Sequence, residues 1–220
     1  ASDKRRTTGN PVREELFLET PREPLAGRRP HLLVLGGSLG AEPLNKLLPA
    51  ALGKIPADLR PQVFHQAGKQ HAEITAERYR DAAVEAEVAP FIKDMARAYG
   101  WADLVVCRAG ALTVSELAAA GLPSCLVPLP HAIDDHQSRN ADWLVEAGAA
   151  LKVVEGEGFT ERLADALFVT DGGIETALIF NEGIELPDFA AFDLFRRPGG
   201  EAALWDTLDV SYFMRHEPSE

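Results

Sequence analysis

The sequence predicts an α/β fold, a doubly wound parallel Rossmann-like sheet spanning about residues 31–167. Three observations carry this reading. Six short apolar runs are separated by stretches long enough to form helices. Several of these runs are apolar throughout, as strands buried on both faces of a parallel sheet must be. The turns that follow them are rich in glycine, alanine and serine, and they fall at the carboxyl edge, where such sheets bind ligands.

HLLVLGG (31–37) reads as a strand ending in glycines, and AEPLNKLLPAALGK (41–54) as a helix. Pro43 falls in the first turn of that helix, where no backbone N–H is needed. PQVFHQAG (61–68) is the second strand, a helix follows over about 69–83, and VEAEVAPF (84–91) is the third strand. IKDMARAYGWA (92–102) is a short helix with Gly100 as its stop, and DLVVCRAG (103–110) is the fourth strand. Leu112–Ala120 forms a helix closed by Gly121, PSCLVPL (123–129) the fifth strand, Asp135–Ala147 a helix closed by Gly148, and AALKVV (149–154) the sixth strand. Glycine is the usual residue just past a helix end, because it takes left-handed backbone without a Cβ penalty.

The flanks differ from this core. Residues 1–30 are polar and rich in Pro and Arg, and they read as a linker or arm, with 7 basic and 5 acidic side chains. Residues 168–220 hold 3 basic against 11 acidic side chains and form an acidic tail. The formal net charge of −12 repels a phosphate backbone over most of the surface, and there is no basic stripe interleaved with aromatics, so nucleic acid is not an expected partner. Cys107 and Cys125 each sit in an apolar run and form no Cys-x-x-Cys pair, so both read as buried, reduced thiols. No window approaches the roughly 18 apolar residues of a membrane span.

Four turns carry the candidate chemistry: GGSLGA (36–41), APFIKD (89–94), CRAGALTVSE (107–116) and PLPHAIDDHQSRNA (128–141). GGSLG is not Gly-x-Gly-x-x-Gly, the second strand ends without an acidic residue for a dinucleotide ribose, and no phosphate loop with its lysine occurs. The glycines, Gly37 among them, either shape a turn or let backbone approach a ligand, and Ser38 beside a helix start favours contact with an anion. In CRAGALTVSE, small residues leave backbone N–H groups uncovered where a helix begins, and a helix start holds phosphate without lysine. Glu116 has two readings: Thr113-Val-Ser-Glu116 fits a capping box, or its carboxylate accepts hydrogen bonds from vicinal ribose hydroxyls. His131, Asp134, Asp135 and His136 suggest a metal, but the acids equally suit the start of the following helix, and no Asp-x-Asp pair exists. No metal site and no cofactor are therefore expected. Gln137 and Asn140 share a helical face, and their amides suit sugar hydroxyls.

TGNPVR (8–13), LLVLGGSLGA (32–41), FIKDMARAYGWADLVVCRAGALTVSELAAAGLP (91–123) and LVPLPHAIDDHQSRNA (126–141) together closely resemble the peptidoglycan glycosyltransferases that make lipid II, over about residues 8–167. The resemblance implies the second half of a GT-B enzyme, in which two Rossmann-like domains hold UDP-N-acetylglucosamine between them. It implies inverting, metal-independent transfer of N-acetylglucosamine to a lipid-linked muramoyl-pentapeptide acceptor. By the same resemblance, Arg13 and Ser38 contact the diphosphate, Ile92 meets uracil with Phe91 beside it, and Ala111, Leu112, Thr113, Val114, Ser115 and Glu116 wrap the phosphates and ribose. Gln137 bonds the sugar, with Gly37 and Asn140 as further candidates. The general base is expected in an amino-terminal domain to which residues 1–30 would lead, so no catalytic residue is assigned here. The site of action is expected to be cytoplasmic, peripheral at the inner face of the cell membrane.

FVTDGGIETALIFNEGIELPDFAAFDLF (168–195) instead resembles the opening of a homocysteine S-methyltransferase barrel, or else adds a seventh strand. No cysteine follows residue 125 to supply that family's zinc thiolates. Two other functions compete with the donor-binding reading: a non-catalytic nucleotide- or anion-binding module, and a truncated methyltransferase fusion.

Overall fold

The structure is a computed structural model describing residues 10–17, 28–37, 39–130 and 135–169. Six parallel strands form one sheet: β1 (His31–Leu35), β2 (Gln62–Gln66), β3 (Ala86–Ala89), β4 (Leu104–Cys107), β5 (Ser124–Leu126) and β6 (Ala150–Lys152). They lie in the order β3-β2-β1-β4-β5-β6. The helices are α1 (Glu42–Gly53), α2 (Ala72–Asp81), α3 (Met95–Trp101), α4 (Ala111–Ala120), α5 (His136–Glu146) and α6 (Phe159–Val169), so every strand is followed by a helix. The doubly wound Rossmann-like sheet expected from the sequence is the one observed.

Apolar side chains on alternate strand positions feed two cores. One packs Leu32, Val34, Val63 and Val106 against Leu44, Leu48 and Leu52 of α1 and Leu163 and Leu167 of α6. The other packs Leu33, Leu35, Val105 and Leu126 against Tyr99 of α3, Val114 and Leu117 of α4 and Leu144 of α5. Burying both faces is what makes the strands apolar throughout.

Several features depart from the sequence reading. Gly100 does not stop α3 but lies inside it, and the helix ends at Trp101. The aromatic ring of Trp101 stacks on His31, with ring centroids 4.5 Å apart, and meets Phe64 edge-on. β4 ends at Cys107, because Arg108–Gly110 already turn away to begin α4. The segment read as an arm is also partly docked: Leu16, in a short 3-10 turn (Glu14–Leu16), is fully buried in the second core. Arg28 pairs with Asp103 through both carboxylate oxygens, at 2.6 and 2.8 Å, and Asp103 also accepts the His31 backbone N–H at 2.7 Å. The stretch read as a methyltransferase-like tail lies outside the described residues beyond Val169.

His65 of β2 is fully buried, its Nδ1 2.9 Å from the Tyr79 hydroxyl and its Nε2 unpartnered. Burial lowers its pKa from 6.5 to about 3. Between those values the unfolded chain binds a proton that the folded chain does not, so stability falls as pH drops from about 6.5 toward about 3. The expected slope from this one group is up to ~1.4 kcal/mol per pH unit. Urea unfolding across that range should show a shallower pH dependence in His65→Gln than in the unaltered chain.

Candidate functional site

The chain winds outward from β1 through β2 to β3, crosses back through α3, places β4 beside β1, and then winds the other way to β6. The carboxyl ends of β1 and β4 therefore lie side by side at a switch of direction, the point where such sheets leave an open crevice. A cleft of about 210 Å³ occupies this place, lined by Leu35, Gly36, Gly37 and Gln66 on one side and by Cys107, Arg108, Thr113 and Glu116 on the other, with Met95 and Tyr99 from α3.

The turn after β1 is pressed against the turn after β2, backbone to backbone. A Cβ on Gly40, where φ is +79°, would stand 2.3 Å from the Ala67 carbonyl oxygen, and one on Gly68 would stand 2.7 Å from the Gly40 nitrogen. The Asn45 side chain ties the two turns by donating to Ala67 O at 2.9 Å. These glycines are packing requirements. Gly37 differs: its φ of +74° favours glycine, but open space surrounds it on the cleft side. Ser38 lies outside the described residues.

On the other wall, α4 starts at Ala111 with Gly110 as its N-cap and no side-chain cap. The N–H groups of Ala111, Leu112 and Thr113 precede the first intrahelical bond, Val114 N–H to Gly110 O, and so point out of the helix start. The capping-box reading of Glu116 is overturned. Thr113 is the third residue of the helix, not its cap, and the Glu116 carboxylate turns outward to tertiary partners. Arg13 Nη2 donates to Oε1 at 3.3 Å and the Tyr99 hydroxyl donates to Oε2 at 3.1 Å. Val114 is buried in the core, so among these residues its side chain is not a cleft group. Ser115 Oγ donates to Ala111 O at 2.9 Å and accepts from Asn10 Nδ2 at 3.0 Å.

The two amides on α5 already have structural work. Gln137 Oε1 accepts the Leu129 N–H at 3.0 Å, and Asn140 Nδ2 donates to Ala109 O at 3.0 Å. Each holds a post-strand turn in place with one end of its carboxamide. Asp135, the residue before α5, adopts left-handed backbone (φ 51°) and makes no side-chain cap. His131 and Asp134 lie outside the described residues, and among the described residues no three His, Cys, Asp or Glu side chains gather as metal ligands would.

Ile92 gives its side chain to the core. Its side chain is buried in the second core, and with the exposed Phe91 it borders a separate groove of about 590 Å³ beside β3, floored by Phe64 and Trp101. An apolar side chain that has taken a core position leaves its backbone as the part able to bond a ligand.

Arg108 is a cleft residue that the sequence did not single out. Its Nη1 donates to Val127 O at 3.1 Å and to Pro128 O at 3.3 Å, and it forms an ion pair with Glu155, stitching together the ends of β4, β5 and the segment after β6. Tyr99 is the second residue missed. A lone arginine or tyrosine next to apolar residues has no local signature. Burial raises the Tyr99 pKa, with the neighbouring Cys107 and Glu116 adding to the shift, so its proton stays on the oxygen. Burial also raises both thiols, that of Cys125 to about 12, so neither is a nucleophile.

Residues 31–170 match the glycosyltransferase family 28 C-terminal domain. The chain is 82% identical over 167 residues to a UDP-N-acetylglucosamine--N-acetylmuramyl-(pentapeptide) pyrophosphoryl-undecaprenol N-acetylglucosamine transferase of Ectopseudomonas mendocina (strain ymp), a match covering 76% of this chain and 47% of that protein. The protein of the same description from Stutzerimonas stutzeri (strain A1501) is 76% identical over the same length. Among solved structures, Acinetobacter baumannii MurG is similar with a TM-score of 0.62 and 45% identity, covering 68% of this chain and 43% of that one. The glycotransferase of kitacinnamycin shares the fold at 20% identity and a TM-score of 0.51. The chain thus spans about half the length of the relatives it matches.

The glycine contacts give a graded test. Gly40→Ala is expected to lower unfolding stability by about 2–4 kcal/mol, since it adds a backbone clash to an unfavourable φ. Gly37→Ala, with the same sign of φ but free space, should cost only about 1 kcal/mol. Denaturant midpoints of the two variants check the difference.

Proposed function

The chain belongs to the glycosyltransferase family 28 C-terminal domain family, and from that premise we propose that it is the half of a lipid II-forming transferase that binds UDP-N-acetylglucosamine. The observation that carries this reading is the Glu116 carboxylate, held at the switch-point cleft beside the uncapped start of α4. A carboxylate next to free backbone N–H groups suits a ligand with a diol at one end and an anion at the other. A uridine diphosphate sugar has both.

Ribose hydroxyls donate to Glu116, and the diphosphate lies over the N–H groups of Ala111, Leu112 and Thr113, where the helix dipole favours negative charge. Ser38 and Arg13 contribute to the diphosphate. Arg13 Nη1 and Nη2 now contact Glu15 and Glu116, and its side chain is half-exposed and free to reach a nearby anion. Uracil sits against the backbone at Ile92, with Phe91 alongside. The free amide nitrogen of Gln137 and the free carboxamide oxygen of Asn140 face the sugar.

In the transfer step an acceptor hydroxyl attacks the anomeric carbon and the bond to the diphosphate breaks, with inversion. Negative charge builds on the leaving UDP, and the preorganised N–H groups stabilise it as an oxyanion hole would. The general base and the surface for the lipid-linked muramoyl-pentapeptide are assigned to the half of such enzymes that this chain does not match. Among the described residues no helix is long and apolar enough to cross a membrane. A nucleotide-sugar donor and a lipid-linked acceptor together support a peripheral site of action at the cytoplasmic face of the membrane.

Calorimetric titration of the chain with UDP and with UDP-N-acetylglucosamine tests the reading. Both should bind, EDTA should change nothing, and Glu116→Ala should weaken binding by roughly ten-fold or more, the worth of a charge-assisted hydrogen bond. A folded chain that shows no UDP affinity at millimolar ligand would overturn it.

A further inference from the structure

We propose that Tyr99 is the positioning residue that orients the Glu116 carboxylate toward the vicinal hydroxyls of the donor ribose. This rests on the donor-binding reading above and deepens it.

Glu116 projects from the second turn of a helix into a cleft, and its side chain is 22% exposed. Left alone, a glutamate there samples several rotamers, and ordering it on binding costs side-chain entropy. Two groups restrain it. Arg13 reaches Oε1 at 3.3 Å, but its side chain is 49% exposed and also contacts Glu15 at 3.5 Å. Tyr99 reaches Oε2 at 3.1 Å from a ring that is fully buried. The tyrosine is therefore the rigid restraint and the arginine the mobile one.

The rigidity of Tyr99 has a structural origin. Asp94 caps α3 by accepting the Arg97 N–H at 2.9 Å, and Trp101 at the other end stacks on His31 of β1. Between these anchors the Tyr99 ring sits in the core shared with Val114 and Leu117 of α4, the helix that carries Glu116. The phenol proton, retained at neutral pH, gives the hydroxyl one role toward a carboxylate, that of donor.

Stoichiometry then favours a diol. A carboxylate offers about four lone-pair sites. Tyr99 takes one on Oε2 and Arg13, before it turns to the diphosphate, one on Oε1, so each oxygen keeps at least one acceptor site for the ligand. Two adjacent hydroxyls, each donating to a different oxygen, complete the set.

The assignment separates from a merely structural role through the sugar. The test compares UDP with dideoxyuridine diphosphate, whose sugar has no vicinal hydroxyls, in the full chain and in Tyr99→Phe, which keeps the buried ring. The expected result is that UDP binds roughly ten-fold more weakly to Tyr99→Phe while the dideoxy analogue is unaffected, so that discrimination between the two shrinks. A double-mutant cycle adds a second readout: in a Glu116→Ala background, Tyr99→Phe should have no further effect on UDP binding.

Equal weakening of both nucleotides, or UDP affinity with unchanged discrimination, would overturn the role of Tyr99 and leave the donor reading intact. The same holds if the effect of Tyr99→Phe persists without Glu116. Absence of UDP binding in the unaltered chain would overturn both.

Discussion

The pairing of β1 with β4 is the constraint from which the rest of the site follows. These two strands are far apart in sequence and adjacent in the sheet, with Leu32 to Leu35 in register with Leu104 to Cys107. Because the winding direction reverses between them, the helices that follow β1 and β4 leave on opposite faces of the sheet. α1 packs in one core and α4 in the other. No crossover can fill the gap between their starts, and the cleft is what remains.

That arrangement asks the walls of the cleft to be thin and firm at once. Thinness comes from small residues: glycines at 36, 40 and 68 let two turns touch through their backbones, and Gly110 with Ala111 leaves the start of α4 bare. Firmness comes from side chains that bridge neighbouring turns. Asn45 ties the β1 and β2 turns, Asn140 the β4 turn to α5, Gln137 the β5 turn to the same helix, and Arg108 the ends of β4, β5 and the segment after β6. The hydrogen bonds among these land on a backbone carbonyl or N–H of a turn, where the regular ladder of strand or helix does not reach. Several residues read from the sequence as ligand contacts are thus also part of the frame that shapes the cleft.

The same doubling explains why Glu116 is neither a simple cap nor a free acid. An isolated segment would favour the capping box, with Thr113 as the cap of a helix beginning at Val114, since the local bonds cost no chain closure. In the folded chain Gly110 occupies the cap position, and the carboxylate is drawn to Arg13 and Tyr99, which arrive from two other segments. Docking of Leu16 in the second core brings the Arg13 segment to that place.

The order of the six strands and of the first five helices was legible in the sequence, because strands buried on both faces must be apolar and helices between them must be amphipathic; α6 was not named from it. The bare helix start at CRAGAL was legible too, because small residues and backbone N–H groups act locally. What tertiary structure alone decided was the use of each polar side chain: that Thr113 does not cap, that Ile92 gives its side chain to the core, and that Tyr99 and Arg108 belong to the cleft. These outcomes depend on partners 17 to 103 positions away in the chain. A hydrogen-bond donor carries no mark in its own sequence of the acceptor that folding will set beside it, whereas the apolar period of a strand or helix is written in the residues themselves.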